Sequence, residues 1–391
     1  MKKSLISLTM GGLSLGMAEF MMMGVLPDVS KSLSVSIPTA GHLISAYALG
    51  VVIGAPLMVG LFSKLSPKKV LIGMMLAFAF FNALFALSPN YELLLVSRVL
   101  SGLPHGAFFG IGAVVASKLA EPGKEARAVS MMFAGLTIAN IFGVPLGTYI
   151  GHNLSWRLSF AIVAVFGLIT ASMTKFWLPV VDHESPASFK SSLRVFKNVD
   201  PWLIIGISAI GTGGMFAWIS YIAPLMSEVA GFSKNMIAMI MVIAGLGMAV
   251  GNFVGGVLAD KFSPVITTTL LLSSMVAALF IVANVSHIKI PAILLTFITG
   301  AIAFAVIAPM QMLMINAAKG SEMIASAVLQ ATANFGNAIG AFLGGLPIAA
   351  GYGFTSPEYV GMVLAGVGVA ICGVLIWRTR TAGGKLVANC S

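Results

Sequence analysis

The sequence predicts an all-α membrane protein of twelve transmembrane helices, arranged as two pseudo-symmetric six-helix bundles. Three observations predict it: the composition, the sidedness of the positive charges and an internal repeat. Of 391 residues, 58% are hydrophobic and only 9% charged, with a mean hydropathy of +1.01, whereas a soluble globular protein carries about 25% charged residues. This balance excludes a soluble enzyme. Each membrane-crossing helix takes about 20 apolar residues, so twelve of them occupy about two thirds of the chain and leave short loops.

Long apolar runs broken by charges, Gly and Pro place six spans at Leu5 to Leu26, Ala40 to Phe62, Val70 to Leu87, Leu93 to Ser117, Ala128 to Ile150 and Leu158 to Trp177. A polar stretch follows from Pro179 to Pro201. Six further spans then run Trp202 to Met226, Met236 to Ala259, Ile266 to Val285, Ala292 to Asn316, Met323 to Ile348 and Tyr359 to Trp377. The expected organisation is an N-terminal bundle over 1–180, a cytoplasmic linker over 181–201 and a C-terminal bundle over 202–391. Lys2 and Lys3 precede the first run, as in a signal peptide, but the run is longer than a signal's apolar core and contains Glu19, so it reads as a span.

Of the 22 Lys and Arg, Lys31, Arg157, Lys234 and Lys289 fall on one side of these spans and Arg98 lies inside one. The other seventeen collect on the opposite side. Cytoplasmic loops gather Lys and Arg, so both termini are expected in the cytoplasm and the net charge of +10 is a topology signal rather than a nucleic-acid footprint. Cys372, inside the last span, and Cys390, in the cytoplasmic tail, have neither the compartment nor the spacing for a disulfide.

An offset of 197 residues aligns Pro27 with Pro224, Gly50 with Gly247, Gly54 with Gly251, and Lys64, Ser66 and Pro67 with Lys261, Ser263 and Pro264. The same offset pairs Glu125 with Glu322, Asn140 with Asn337, Gly143 with Gly340 and Gly147 with Gly344. Isolated Gly matches are cheap in such a sequence; a Lys-x-Ser-Pro, a Glu and an Asn at one unchanged offset are not. Helices one and seven then start on the same side, so the halves are parallel repeats. That architecture places a solute site near the midplane and opens it alternately to each side. It implies transport.

Gly16 to Phe20 (Gly-Met-Ala-Glu-Phe), Gly24 to Asp28 (Gly-Val-Leu-Pro-Asp), Arg98 ahead of Gly102, Gly106 and Gly110, Pro104 to Gly110 (Pro-His-Gly-Ala-Phe-Phe-Gly), and Gly143 to Gly147 (Gly-Val-Pro-Leu-Gly) followed by Trp156, Arg157 and Phe160 resemble the major facilitator superfamily. The resemblance spans the chain and is nearest to the twelve-helix drug-proton antiporter branch and its bacterial arabinose-efflux-type permeases. It implies the major facilitator fold in a bacterial inner membrane. It also implies a cytoplasmic gate built on an acid in the loop after helix two. Here Ser63 stands in that place, while the second half keeps the acid as Asp260. The expected gate residues are Lys64, Asp260, Lys261 and Arg127, with Asp260 facing Arg127 at the start of helix five.

Ionisable groups inside spans are costly, so each is a functional candidate. Glu19 lies about 21 Å from the cytoplasmic start of helix one. Arg98 lies about 7 Å in from the outer side, hence about 23 Å from the inner side of a 30 Å core. The two can be level in depth. An apolar cavity favours the protonated carboxylate and a nearby guanidinium the ionised one, so changing their separation would change proton affinity. Glu19 is the expected exchangeable proton site and Arg98 its organiser; the alternative is a static ion pair. His42 and His105 titrate near neutral pH when unperturbed and are expected as polar packing contacts, with His105 also a candidate cargo contact.

Small residues four apart let helices approach closely, so Gly102, Gly106 and Gly110 read as one packing seam and Ala139, Gly143 and Gly147 as another. The second set also resembles the antiporter pattern of helix five, in which Gly143, Pro145 and Gly147 serve gating, although Val144 splits the usual Gly-Pro pair and Thr148 replaces a second Gly. Cargo candidates are Phe20, Tyr47, His105, Phe108, Asn140, Trp218, Tyr221, Gln311, Gln330 and Asn334, since amides and aromatic faces suit hydroxylated or weakly amphipathic solutes. No phosphate-binding loop, paired catalytic carboxylates or metal-spaced His cluster occurs, so neither an ATP-driven pump nor an enzyme is expected. The function expected is a proton-coupled carrier exporting a sugar or drug-like solute. Its partners are that solute, protons and the bilayer, with no cofactor and no nucleic acid, and a monomer suffices. The alternatives are a facilitator or uptake symporter and, in another class, a non-transporting receptor.

Overall fold

The computed structural model describes residues 2–62, 65–121, 125–180, 193–318 and 322–381, and these are helical with no strand. The first half comprises α1 (Lys2–Leu33), α2 (Ile37–Phe62), α3 (Pro67–Leu87), α4 (Tyr91–Lys118), α5 (Glu125–Ile138), α6 (Val144–Ile150) and α7 (Trp156–Trp177). The second comprises α8 (Val199–Gly206), α9 (Gly213–Ser220), α10 (Ile222–Pro224), α11 (Lys234–Lys261), α12 (Pro264–Val285), α13 (Lys289–Ala305), α14 (Ile307–Ala317), α15 (Glu322–Ala349) and α16 (Ser356–Thr381). Ten stretches of the described residues are long and apolar enough to cross a membrane. One of them, Ala128–Trp177, is 50 residues long and holds two successive crossings. Counting it as two and adding the 28-residue α15 gives the twelve expected.

Helix boundaries follow backbone chemistry rather than hydropathy. α1 continues past the apolar run to Leu33 and stops at Ser34, whose φ of 54° turns the chain, while the Val35 N–H bonds back to the Ser30 carbonyl at 3.1 Å. This is the left-handed closure that satisfies the last carbonyls of a helix. Asn90 starts α4 by accepting from the Leu93 N–H at 3.0 Å, and Ser155 starts α7 by accepting from Arg157 at 3.2 Å. The repeated Ser-Pro pair has the same explanation in both halves: Ser66 and Ser263 stand at N-caps with Pro67 and Pro264 opening α3 and α12, where a missing N–H costs nothing.

Three spans expected as single helices are broken, at prolines in each and, in the span over 202–226, also at a proline-free π-helical turn, Ile207–Gly211. Ahead of Pro145 the Val144 N–H reaches back five residues to Ala139, giving a π-helical turn over Ala139–Gly143. Pro224 and Pro309 cannot donate to residues four before them, and the chain is interrupted at Tyr221 and at Val306. The linker residues 181–192, including Phe189 and Lys190, lie outside the described residues. Leu193–Lys197 forms a 3₁₀ turn, fixed where the Trp202 Nε1–H donates to the Phe196 carbonyl at 2.8 Å.

The chain divides into two compact units, Met1–Ser185 with Lys234–Val242, and Pro186–Ser233 with Ile243–Ser391. In the first, α2 packs on α4 through glycines: a Cβ on Gly50 would strike the Val99 carbonyl, and one on Gly102 the Tyr47 carbonyl. The second unit repeats this seam, with Gly247 against the Phe297 carbonyl and Gly251 against that of Ala301. Gly106 belongs to the first seam, its Cβ position lying 2.8 Å from the Ala55 methyl. Gly110 does not: nothing lies within 4 Å of it, because four further residues along α4 the two helices have diverged. The helix-five seam is met by α1, with Gly143 on Met17 and Gly147 on Met21. Gly102→Val should therefore lower unfolding stability in detergent by about 1–3 kcal/mol, and Gly110→Ala should stay within about 0.5 kcal/mol, both read by thermal unfolding of the purified protein.

Candidate functional site

Arg98 is 0% exposed on the seventh residue after the start of α4. The Gly50–Gly102 seam brings α2 against this part of α4, so the Arg98 side chain meets α2 main chain and Tyr47 directly. Its Nε donates to the Leu43 carbonyl at 3.1 Å and its Nη1 to the Ala18 carbonyl at 3.0 Å. The guanidinium carbon lies 4.2 Å from the Tyr47 ring centroid and 5.5 Å from those of Phe85 and Phe160. Planar donors and an aromatic face are what guanidinium offers and accepts that an ammonium does not. The Nη1 bond reaches the residue before Glu19, so acid and base are at one depth and close enough to interact electrostatically.

Glu19, 7% exposed, presents its carboxylate 3.9 Å from His105 Nε2. The other ring nitrogen, Nδ1, shares a hydrogen bond of 3.0 Å with the Tyr47 hydroxyl, and the two rings meet edge-on at 5.8 Å. Tyr47 thus touches both Arg98 and His105: the ring receives the guanidinium and the hydroxyl orients the imidazole. The placement makes His105 and Tyr47 neighbours of the two embedded charges, Glu19 and Arg98. No hydropathy or spacing rule shows this, since Tyr47 and His105 are 58 residues apart and meet only because α2 and α4 cross at glycines. His42 instead pairs with Tyr91 at 3.3 Å.

The cargo candidates divide by what their polar atoms do. Phe20 and Phe108 are buried, and the Phe108 ring fills the space where a side chain on Gly11 would be. The Tyr221 hydroxyl is spent on the Ala341 carbonyl at 2.7 Å. In contrast, Asn140 Nδ2, Trp218 Nε1 and Asn334 Oδ1 are buried with no hydrogen-bond partner, and an orphaned buried group costs about 1–3 kcal/mol. Asn140 stands in the π-helical turn before Pro145, and Asn334 donates its Nδ2 to the Gln330 carbonyl at 3.1 Å. Gln330 and Gln311 are half-buried. A small apolar pocket in the second unit, lined by Thr212, Met215, Leu272, Met275 and Val306 among others, involves none of the candidates.

Of the expected gate residues, Lys64 lies outside the described residues, as do the side chains of Arg127 and Asp260; Lys261 is exposed at the end of α11. No group of three or more metal-ligating side chains occurs among the described residues.

Apolar membrane-length helices in two repeated halves, with an acid, an arginine and a histidine embedded in one of them, define a multi-pass membrane carrier. The chain belongs to the Major Facilitator Superfamily, whose family model matches residues 8–327. It is 40% identical over 354 residues to the protein AraJ of Escherichia coli (strain K12), covering 90% of each chain. It is 37% identical over 367 residues to the inner membrane transport protein YdhP of the same strain, covering 94% of each. Among solved structures, that of a D-xylose-proton symporter shares the fold, with a TM-score of 0.75 at 14% identity over 95% of this chain and 96% of the other. The protein is a secondary transporter of small molecules and not an enzyme.

The cluster makes a stability prediction. Tyr47→Phe should cost about 0.5–1.5 kcal/mol through the lost His105 hydrogen bond, and Arg98→Lys more, because an ammonium cannot reproduce the two-carbonyl, ring-stacked geometry. Thermal unfolding in detergent gives the order.

Proposed function

We propose that this carrier couples solute movement to protons through Glu19, and that it exports a small organic solute, sugar or drug-like, by alternating access. The observation carrying this is the Glu19 carboxylate inside a span, 3.9 Å from His105 Nε2 and beside the carbonyl that holds Arg98. A proton on that acid changes the local charge next to a fixed guanidinium, and a buried charge is strongly coupled to its surroundings. Any motion that alters these separations alters proton affinity. Arg98 positions the site, and His105, oriented by Tyr47, adjoins the carboxylate.

Export is favoured by the helix-five pattern, where Gly143 and Gly147 seat α6 and the preceding π turn on α1 and the turn ends at Gly143, two residues before Pro145. A bend there adjoins the helix that carries Glu19. Asn140, Trp218 and Asn334, with buried unsatisfied polar atoms, are the best cargo contacts, and Gln311, Gln330, Phe20 and Phe108 are the remaining candidates. Asp260 facing Arg127, with Lys64 and Lys261 alongside, is proposed as the cytoplasmic latch on sequence grounds alone. The charge bias supports both termini in the cytoplasm of a bacterial inner membrane, and the two repeats in one chain support a monomer.

Proteoliposomes containing a pH dye test the coupling. Adding the transported sugar or antibiotic to the wild type should move protons, Glu19→Gln should abolish the signal while retaining solute binding, and Asp260→Asn should raise the accessibility of the cytoplasmic cavity. Labelled solute crossing without a proton signal in either protein would make it a facilitator with a static Glu19–His105–Arg98 cluster.

A further inference from the structure

An acid outside the Glu19 cluster is enclosed in the second unit. Glu358 stands in the first turn of α16, is 1% exposed, and has one carboxyl oxygen, Oε2, buried without a hydrogen-bond partner. Glycine contacts on either side fix its surroundings. Pro357 lies 3.4 Å from the Cβ position of Gly344 on α15, while a Cβ on Gly361 would meet the Gly214 carbonyl of α9 at 2.7 Å and a Leu279 methyl of α12 at 2.9 Å. Gly368 in turn meets Gly211, so α16 runs antiparallel to α9. Glu358, three residues before Gly361, and Trp218, four after Gly214, therefore lie one turn beyond the same contact. Trp218 is buried there with an unmatched Nε1–H.

Among the described residues no cation balances this acid, and none of the ion pairs includes it. The elements packed on α16 explain why. Neither α9, nor the π-helical turn Ile207–Gly211, nor α12 contains Asp, Glu, Lys, Arg or His. On α15 the ionisable residue is Glu322, which starts the helix about 33 Å from Gly344. On α8 it is Asp200, paired with Arg378 about 30 Å further along α16. On α16 itself, Tyr359 is exposed, Cys372 is buried about 21 Å away, and Arg378 and Arg380 lie in the last turn. His287 and Lys289, beyond α12, are exposed, and the Tyr221 hydroxyl donates to the Ala341 carbonyl.

A carboxylate removed from water without a partner neutralises instead. A helix start favours an anion, but that gain is a fraction of what desolvating an unpaired carboxylate costs. We propose that Glu358 is a proton-binding residue of the second unit: enclosed as here it holds a proton, and it exchanges that proton with the aqueous phase at the start of α16. On release the O–H bond breaks, the proton passes to water and the carboxylate remains. The path is short. Residues 351–353 ahead of α16 are exposed, the Ser356 hydroxyl donates to the Gly353 carbonyl at 2.6 Å, and Tyr359, the residue after Glu358, is 47% exposed. This site stands apart from Glu19 and does not depend on coupling through it.

Infrared spectroscopy of the purified full chain in detergent reads the proton directly at about pH 7, where an ordinary Asp or Glu is ionised. The wild type should show the C=O stretch of a protonated carboxyl, Glu358→Gln should lose that component, and Glu19→Gln should keep it. In heavy water the component should shift to lower frequency as the exchangeable proton is replaced. Gln copies the shape of the neutral acid and Glu358→Met keeps its length without charge, so both variants should fold, as judged by thermal unfolding. A wild-type-minus-variant spectrum containing only carboxylate bands would overturn the proposal. So would a component that does not shift in heavy water, or loss of folding in both variants, which would mean that the site needs its charge. A protonated-carboxyl band lost in Glu19→Gln alone would overturn the Glu358 site and leave the proton reading of Glu19 standing.

Discussion

Arg98 keeps a full positive charge at 0% exposure inside a membrane span, and neutralising it sets the arrangement of α1, α2 and α4. The guanidinium is fully buried, so its N–H groups look to protein for acceptors. Carbonyls of Leu43 and Ala18 serve Nε and Nη1, while Nη2 is buried without a hydrogen-bond partner, and a helical carbonyl becomes a free acceptor only when helices approach to main-chain distance. The glycines at 50 and 102 provide that approach. Tyr47 then completes the cage with its ring and, through its hydroxyl, transmits the geometry to His105 and so to Glu19. Packing and charge are one device here: a side chain at Gly102 would push α2 away and strip the arginine of its partners.

The two units use the same close-packing rule at equivalent glycines, yet only the first carries buried ion chemistry at that crossing. In the second, the seam of Gly247 and Gly251 on α13 has Leu295 at the position of Arg98 and Thr299 at that of Gly102, the latter with an unpartnered buried hydroxyl. Duplication preserved the packing of the glycines while the embedded arginine was not repeated. Unpartnered buried polar atoms occur in both halves, on Asn140 in the first and on Trp218, Asn334 and Glu358 in the second.

Hydropathy and helix starts were legible because they depend on single residues and their neighbours. Apolar length located the spans, Ser66-Pro67 and Ser263-Pro264 opened helices where a missing N–H is harmless, and the 197-residue offset marked the repeat. Gly110 was misjudged as part of the packing seam because spacing by four says which face a residue lies on, not how far two helices stay together. The breaks at Tyr221 and Val306 were missed because the apolar run continues through them and only the Pro224 and Pro309 backbone interrupts the bonding.

By itself the sequence determined the membrane class, the twelve spans, the repeat, the charge bias and the two embedded ions Glu19 and Arg98, since each is a property of composition or periodicity. Tertiary structure alone decided what those ions touch. Tyr47 and His105 became one unit with them, and Asp28 found His152 and Lys234, through contacts between residues 58 to 206 positions apart. Such pairings depend on where helices cross and turn in three dimensions, which one-dimensional patterns of polarity do not encode.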